Sequence, residues 1–228
     1  MPNFDIVRQT DAEKSFRVAS VMGMFDLQTE RIKEQFIGSI DIENNEWNIG
    51  VIYGASGTGK TTIAKELFND AYVRDFEYKK QSILDDMPEG KSIKDITKMF
   101  NAVGFSSPPS WLKPYSVLST GEKMRSDLAR AILEERDLIV FDEFTSTVNR
   151  QVAQVGSFAL QRAVRRLGKR FIAVSCHYDI LEWLEPDWTF CTDDMSFFLK
   201  KNIKGQKLNL KFTSVKERCG NYLENIII

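Results

Sequence analysis

Gly54-Ala55-Ser56-Gly57-Thr58-Gly59-Lys60-Thr61 is the stretch on which the reading of this chain turns, because it fills every fixed position of the pattern G-x-x-x-x-G-K-[ST]. Phosphate oxygens concentrate negative charge. A loop that holds them must aim several backbone N–H groups inward, and Gly54, Gly57 and Gly59 permit the close, partly left-handed path this needs. A short apolar run at residues 47–53 leads into the loop, and residues 61–68 continue from it with a helical pattern. Strand, loop and helix together separate this motif from a chance Gly/Ser/Thr turn ahead of a lysine. In that setting Lys60 reaches the β- and γ-phosphates and the Thr61 hydroxyl takes a Mg²⁺ position. Thr62 supports the α-phosphate side, and Ser56 and Thr58 complete the nucleotide-binding set.

Working outward, Asp137-Leu138-Ile139-Val140-Phe141-Asp142-Glu143 reads as a buried strand ending in two carboxylates. In an open parallel sheet, chemistry gathers at the carboxyl ends of strands. Adjacent strand-end side chains point in different directions, so Asp142 can face a metal while Glu143 faces a water nucleophile. A solvated strand end before a turn is the bland alternative, and the complete phosphate loop upstream weighs against it. Residues 170–175 read as a second buried strand, separated from the first by a helical stretch at 151–167, as in a parallel sheet with crossover helices.

Between these motifs, Pro88, Gly90, Pro108, Pro109 and Pro114 break residues 81–117 into short amphipathic pieces, which predicts a small helical lobe. Met124, Leu128, Ala131 and Ile132 then mark one face of a helix over 119–135. At the N-terminus, residues 15–24 and 36–42 read as an antiparallel strand pair. The expected fold is α/β: a P-loop NTPase core with an N-terminal antiparallel β subdomain and a helical lobe at about 82–130, as a single domain over 1–228. Residues 200–228 form a basic extension.

The 228 residues suit one domain, and 43% hydrophobic with 28% charged residues is an ordinary globular composition. A formal net charge of −1 gives no global bias toward nucleic acid or membrane. Cys176, Cys191 and Cys219 are odd in number and stand in unrelated contexts, and the first residues have no apolar signal core, which favours a cytoplasmic location. No run approaches the ~20 apolar residues of a membrane span, so direct membrane insertion is not expected.

Leu118-Ser119-Thr120-Gly121-Glu122 lies ahead of the 119–135 helix, with Ser119 23 residues before Asp142. It resembles the LSGGQ signature of ABC-type ATPases, and the resemblance extends over roughly residues 15–191. It implies a RecA-like core of ABC type, ATP with Mg²⁺, and a head-to-tail dimer. In that dimer Ser119, Thr120, Gly121 and Glu122 of one chain cap the γ-phosphate held by the other. Residues 142–149 look like the run from the acidic strand end into the D-loop, with Phe144 in place of the usual proline and Asn149 in place of aspartate. Gln81 looks like the Q-loop glutamine, a contact for Mg²⁺ and water. His177, the chain's only histidine, stands 34 residues beyond Glu143 and looks like the switch histidine; a partly buried turn residue is the bland alternative. Phe25 is the candidate for stacking on adenine, with a core or hairpin aromatic as an equal alternative.

The function expected is ATP hydrolysis by Glu143, His177 and Gln81, with Thr61, Gln81 and Asp142 at the metal, driving a conformational change in a soluble effector protein or nucleic-acid complex. A P-loop kinase acting on a nucleotide or nucleic-acid acceptor shares Lys60, Thr61 and Asp142 but has no use for the 118–122 signature. The ATP-binding subunit of a membrane transporter is a further alternative, which the compact lobe disfavours. Lys200, Lys201, Lys204, Lys207, Lys211, Lys216 and Arg218 make the extension a candidate for DNA or RNA phosphates, against the bland reading of a solvated surface.

Overall fold

Apolar residues in the middle strands alternate between two faces, and each face is closed by a different set of elements. The computed structural model describes residues 3–10, 15–25, 32–43, 45–73 and 76–200. Strands β1 (Asn3–Thr10) and β2 (Ile32–Ser39) pair antiparallel, with helix α1 (Phe16–Met24) between them in sequence. Next come β3 (Ile49–Tyr53), α2 (Lys60–Phe68), α3 (Ile93–Ala102), the short α4 (Pro108–Trp111), α5 (Thr120–Leu133) and β4 (Leu138–Phe141). The chain continues through α6 (Arg150–Leu167), β5 (Arg170–Ser175), the short α7 (Ile180–Leu184), β6 (Trp188–Cys191) and β7 (Ser196–Leu199). The main sheet runs β4-β5-β3-β6-β7; its first four strands are parallel and β7 is antiparallel to β6.

Ile49, Val51 and Tyr53 of β3, Ile139 of β4, and Phe171 and Ala173 of β5 face the side covered by α3, α5, α6 and α7. Ile52, Val140, Ile172 and Val174 face the other side, where Ile63 and Ala64 of α2 and Phe4 and Phe36 of the β1–β2 pair cover them. This is the period-two pattern of a sheet buried on both faces. The helical lobe shares the first of these cores: Phe100, Phe105 and Trp111 form an aromatic group in it, with Trp111 Nε1 donating to Phe105 O at 2.9 Å. Gly50 lets the β6 indole approach, since a Cβ there would lie 2.1 Å from Trp188.

Two expectations change. The antiparallel pair exists, but its members are 3–10 and 32–39; residues 15–24, expected as a strand, form a helix. Ser15 caps that helix by accepting from Val18 N at 3.2 Å, and no residue of it is buried, so nothing in its apolar spacing selects a strand. Ile40 and Ile42, read as strand positions, are buried just beyond β2. Strands β6 and β7 were not anticipated at all, and β6 adds a fourth carboxyl end to the parallel edge. Of the expected basic extension, residues 201–228 lie outside the described residues.

Candidate functional site

The carboxyl ends of β3, β4, β5 and β6 release, in turn, the phosphate loop, the Asp142–Glu143 pair, the segment holding His177, and Thr192–Asp193. Among the described residues five helices have nine residues or more. Four of them carry a side-chain N-cap, from Ser15, Ser92, Ser119 and Asn149. The fifth, α2, begins on Gly59 in the left-handed region and has no side-chain cap. Its first N–H groups therefore point into the phosphate loop, the arrangement that suits an anion at a helix N-terminus. Gly59 is required twice over, by its φ of 86° and because a Cβ would meet the Phe36 ring at 2.5 Å.

Within the loop the Ala55 carbonyl accepts from Lys60 Nζ at 2.5 Å and from Thr58 Oγ1 at 2.8 Å. Lys60 is only 8% exposed, so its ammonium lies inside the loop rather than in solvent. Thr61 Oγ1 donates to Asp142 Oδ2 at 2.7 Å, joining the loop to the acidic strand end. Two oxygen ligands in adjacent positions on an octahedral Mg²⁺ stand about 2.9 Å apart, since Mg–O is about 2.1 Å. The Thr61–Asp142 pair already has nearly that spacing, and both are hard oxygen donors. The residues present fit the metal.

Asp142 Oδ1 accepts from Glu143 N at 2.8 Å, and the same carboxylate accepts from Tyr72 OH at 2.5 Å through Oδ2. Glu143 is exposed and takes a φ of 50°, with Thr145 at 67°. Left-handed backbone at such residues costs about 1–3 kcal/mol each and gathers at functional sites. Phe144 is fully buried against Phe141 and Phe171 and is held by Phe144 N donating to Val174 O at 2.9 Å, which accounts for an aromatic where the resemblance leads one to expect proline. Asn149 caps α6 by accepting from Val152 N at 2.9 Å. Arg150 then reaches across to Asp179, with Nε at 2.8 Å, so the residues after Glu143 are tied to those after His177.

His177 is half-buried, and its Nδ1 is buried without a hydrogen-bond partner among the described residues. Burial first, then the Arg150 charge, pushes its pKa below the ordinary 6.5, against the opposing pull of Asp179 and Glu143. The imidazole is thus neutral at neutral pH and lies within electrostatic reach of Glu143.

Ser119 and Thr120 are exposed at the start of α5. Ser119 Oγ and Glu122 form a reciprocal capping box, with Ser119 N donating to Glu122 Oε2 at 2.9 Å. The hydroxyls of Ser110 and then Ser119 hold the Glu122 carboxyl down to about 2. Gly121 packs closely on α6, where a Cβ would lie 3.1 Å from Val152 Cγ1. Phe25, at the end of α1, is 70% exposed.

Gln81 does not join the metal pair. It is exposed, and no hydrogen bond among the described residues links it to Thr61 or Asp142. The neighbouring backbone instead turns onto Asp86, which accepts from Lys79 N and Lys80 N. Tyr72, a residue not singled out in the sequence, donates its hydroxyl to Asp142 Oδ2. Its backbone pairs in parallel with Val140, and that pairing sets the ring beside the β4 carboxyl end. A cleft of about 810 Å³ opens beside the acidic strand end, lined by Asp142, Glu143, Tyr72 and Phe76 and reaching Tyr115 and Asp127; the phosphate loop is not part of its wall.

A profile described as an AAA domain matches residues 44–176, more than half of the chain and including the phosphate loop, the acidic strand end and β5. No curated protein matches the sequence. Among solved structures, the chain is similar to a dimeric bacterial ABC transporter cassette at 14% identity and a TM-score of 0.55, covering 82% of this chain and 94% of that one. It is similar to a bacterial Atm1-family ABC exporter with ATP bound at 18% identity and a TM-score of 0.55, over 78% of this chain and 36% of that one. A post-hydrolysis cassette dimer with ADP and phosphate gives 14% identity and a TM-score of 0.54, over 82% and 94%. Identities at this level speak to the fold, which is that of the ABC cassettes. With a matched profile over most of the parallel core and a phosphate loop joined to its acidic strand end, the chain belongs to the AAA-domain family of P-loop proteins.

Proposed function

We propose that this chain hydrolyses ATP to ADP and phosphate, with two copies closing around two nucleotides. The observation that carries the reading is the junction at Asp142, where the Thr61 hydroxyl and the β4 carboxylate meet at 2.7 Å with Glu143 next in the chain. Lys60 and the uncapped start of α2 bind the phosphates. Thr61 and Asp142 hold Mg²⁺, which when bound offsets charge developing on the transferred phosphoryl group. Glu143 accepts the proton of the attacking water, and neutral His177 donates a hydrogen bond to the γ-phosphate side and orients that water. Ser119 and the N-terminus of α5, exposed on the surface, supply the anion site that a second copy's γ-phosphate completes. Phe25 stacks on adenine.

The effector docks on the helical lobe, where Ile93, Leu112 and Val117 leave large apolar side chains exposed. No helix among the described residues is long and apolar enough to cross a membrane.

Purified chain with Mg·ATP is expected to release inorganic phosphate with no acceptor added, and to dimerise with ATP but not with ADP. Phosphate appearing only when a nucleotide or nucleic-acid acceptor is supplied would replace this reading with that of a kinase.

The state of His177 sets a pH dependence. Its pKa lies below 6.5 in the folded chain, so the active neutral form persists as pH falls through 6.5 and is lost only at more acid values. The acid limb of kcat/KM, which reports the nucleotide-free chain, is expected to have its midpoint below 6.5 and to vanish in His177→Gln, whose kcat/KM should be low and flat across that range. An unchanged limb in the variant would assign it to another group.

A further inference from the structure

The turn after β6 touches both ends of the site and has no role in the reading so far. Asp193 Oδ1 accepts from Ala55 N at 2.8 Å, and Asp193 Oδ2 accepts from the Tyr178 hydroxyl at 2.5 Å. Tyr178 directly follows His177, and its ring packs edge-on against Tyr53, the residue before the phosphate loop. Thr192, 2% exposed, receives the loop from below: its N donates to Tyr53 O at 2.8 Å, and its hydroxyl lies 2.5 Å from that of Thr58. Gly54 is the residue that lets this turn come so near, since a Cβ there would stand 2.2 Å from Thr192 Oγ1.

Ala55 is therefore a hub. Its carbonyl gathers Lys60 and Thr58, while its N–H has one anchor, the carboxylate of Asp193. A single side chain thus fixes the peptide on which Lys60 rests and, through Tyr178, the segment that carries His177. We infer that Asp193 is a positioning residue that holds the phosphate loop and the His177 segment in register, so that nucleotide affinity depends on its bond to Ala55 and turnover on its bond to Tyr178. This rests on the reading of Lys60 and His177 as nucleotide-facing groups, and it names a link between them that neither motif contains.

The two bonds separate by mutation. Asp193→Ala removes both. Asp193→Asn keeps both, because the amide oxygen can accept from Ala55 N–H while its NH₂ donates to the Tyr178 oxygen. Tyr178→Phe keeps the ring and the Ala55 anchor and removes the hydroxyl's bond to Asp193, the link to the His177 segment.

The test starts with amide hydrogen exchange on the full chain, which needs no activity. In Asp193→Ala, exchange at residues 54–60 is expected to rise about tenfold, as loss of one charge-assisted hydrogen bond implies, with the β3 and β5 strands unchanged. The Kd for Mg·ATP should rise by about the same factor, and Asp193→Asn should restore both to within about twofold of the parent. Tyr178→Phe should leave the Kd unchanged and lower kcat about tenfold. Equal exchange in Asp193→Ala and parent, or a rise spread over the whole chain, overturns the proposal. Should Asp193→Ala not fold, a Tyr178→Phe chain with parental kcat overturns it alone, and a lowered kcat at constant Kd supports it. A parent that binds Mg·ATP without releasing phosphate would sink the hydrolase reading, while exchange and Kd would still decide the role of Asp193.

Discussion

Glu143→Gln is expected to bind Mg·ATP as the parent does and to lose turnover by about 10²- to 10⁴-fold, the range that a positioned general base supplies. The substitution is nearly isosteric, and its backbone cost is unchanged, because glutamine inherits the same left-handed φ of 50° that glutamate already bears. Asp142 keeps its bonds to Thr61 Oγ1 and Tyr72 OH, and the Glu143 N–H that caps Asp142 Oδ1 remains in place. Only the ability to take a proton is lost. Because hydrolysis is what removes the charge shared between two copies, the variant should accumulate as an ATP-bound dimer visible by light scattering. A variant that hydrolyses at the parental rate would remove Glu143 from the chemistry. One that stays monomeric under saturating Mg·ATP would remove the paired arrangement.

Lys60→Ala acts on the other side of the same phosphates. The Lys60 ammonium is buried to 8% exposure and oriented by the Ala55 carbonyl, so a cation is already held in the loop before any phosphate contributes to its placement. Losing such a preorganised donor costs about 10²- to 10³-fold in rate where it meets developing negative charge. Binding of ATP should weaken as well, since charge-assisted bonds to phosphate are lost with it. The fold should survive, because Ile63 and Ala64, which seat α2 on the sheet, are untouched. Equal affinity for Mg·ATP in parent and variant, measured by calorimetry, would contradict the assignment of the loop.

Most of this arrangement was legible in the sequence because the signals are local. Eight consecutive residues define the phosphate loop, the run 138–141 ending in two carboxylates defines β4, and residues 118–122 mark the start of α5. What escaped depends on contacts across the sheet. Helix α1 buries none of its residues, so the competing helix and strand periods over 15–24 had no core to decide between them, although Ser15 was available as a cap. Strand β6 spans four residues, too short for its pattern to be diagnostic, and with it went Thr192 and Asp193, whose bonds to the phosphate loop span 134 and 138 positions of sequence. Tyr72 was missed for the same reason: only the pairing of its backbone with Val140 puts a phenol at Asp142.

The central claim is that one chain's phosphate loop works with another chain's α5 N-terminus, and mixing two inactive variants tests it most directly. Lys60→Ala disables the loop, and Ser119→Arg places a bulky cation at the exposed start of α5, away from the loop of its own chain in sequence. If the site is shared, a mixed dimer has one composite site with both halves intact. With equal amounts of the two chains, half the dimers are mixed and each keeps one site of two, so about a quarter of the parental phosphate release should return. If mixing restores nothing while each variant is folded, the site is complete within a single chain and the paired account is wrong.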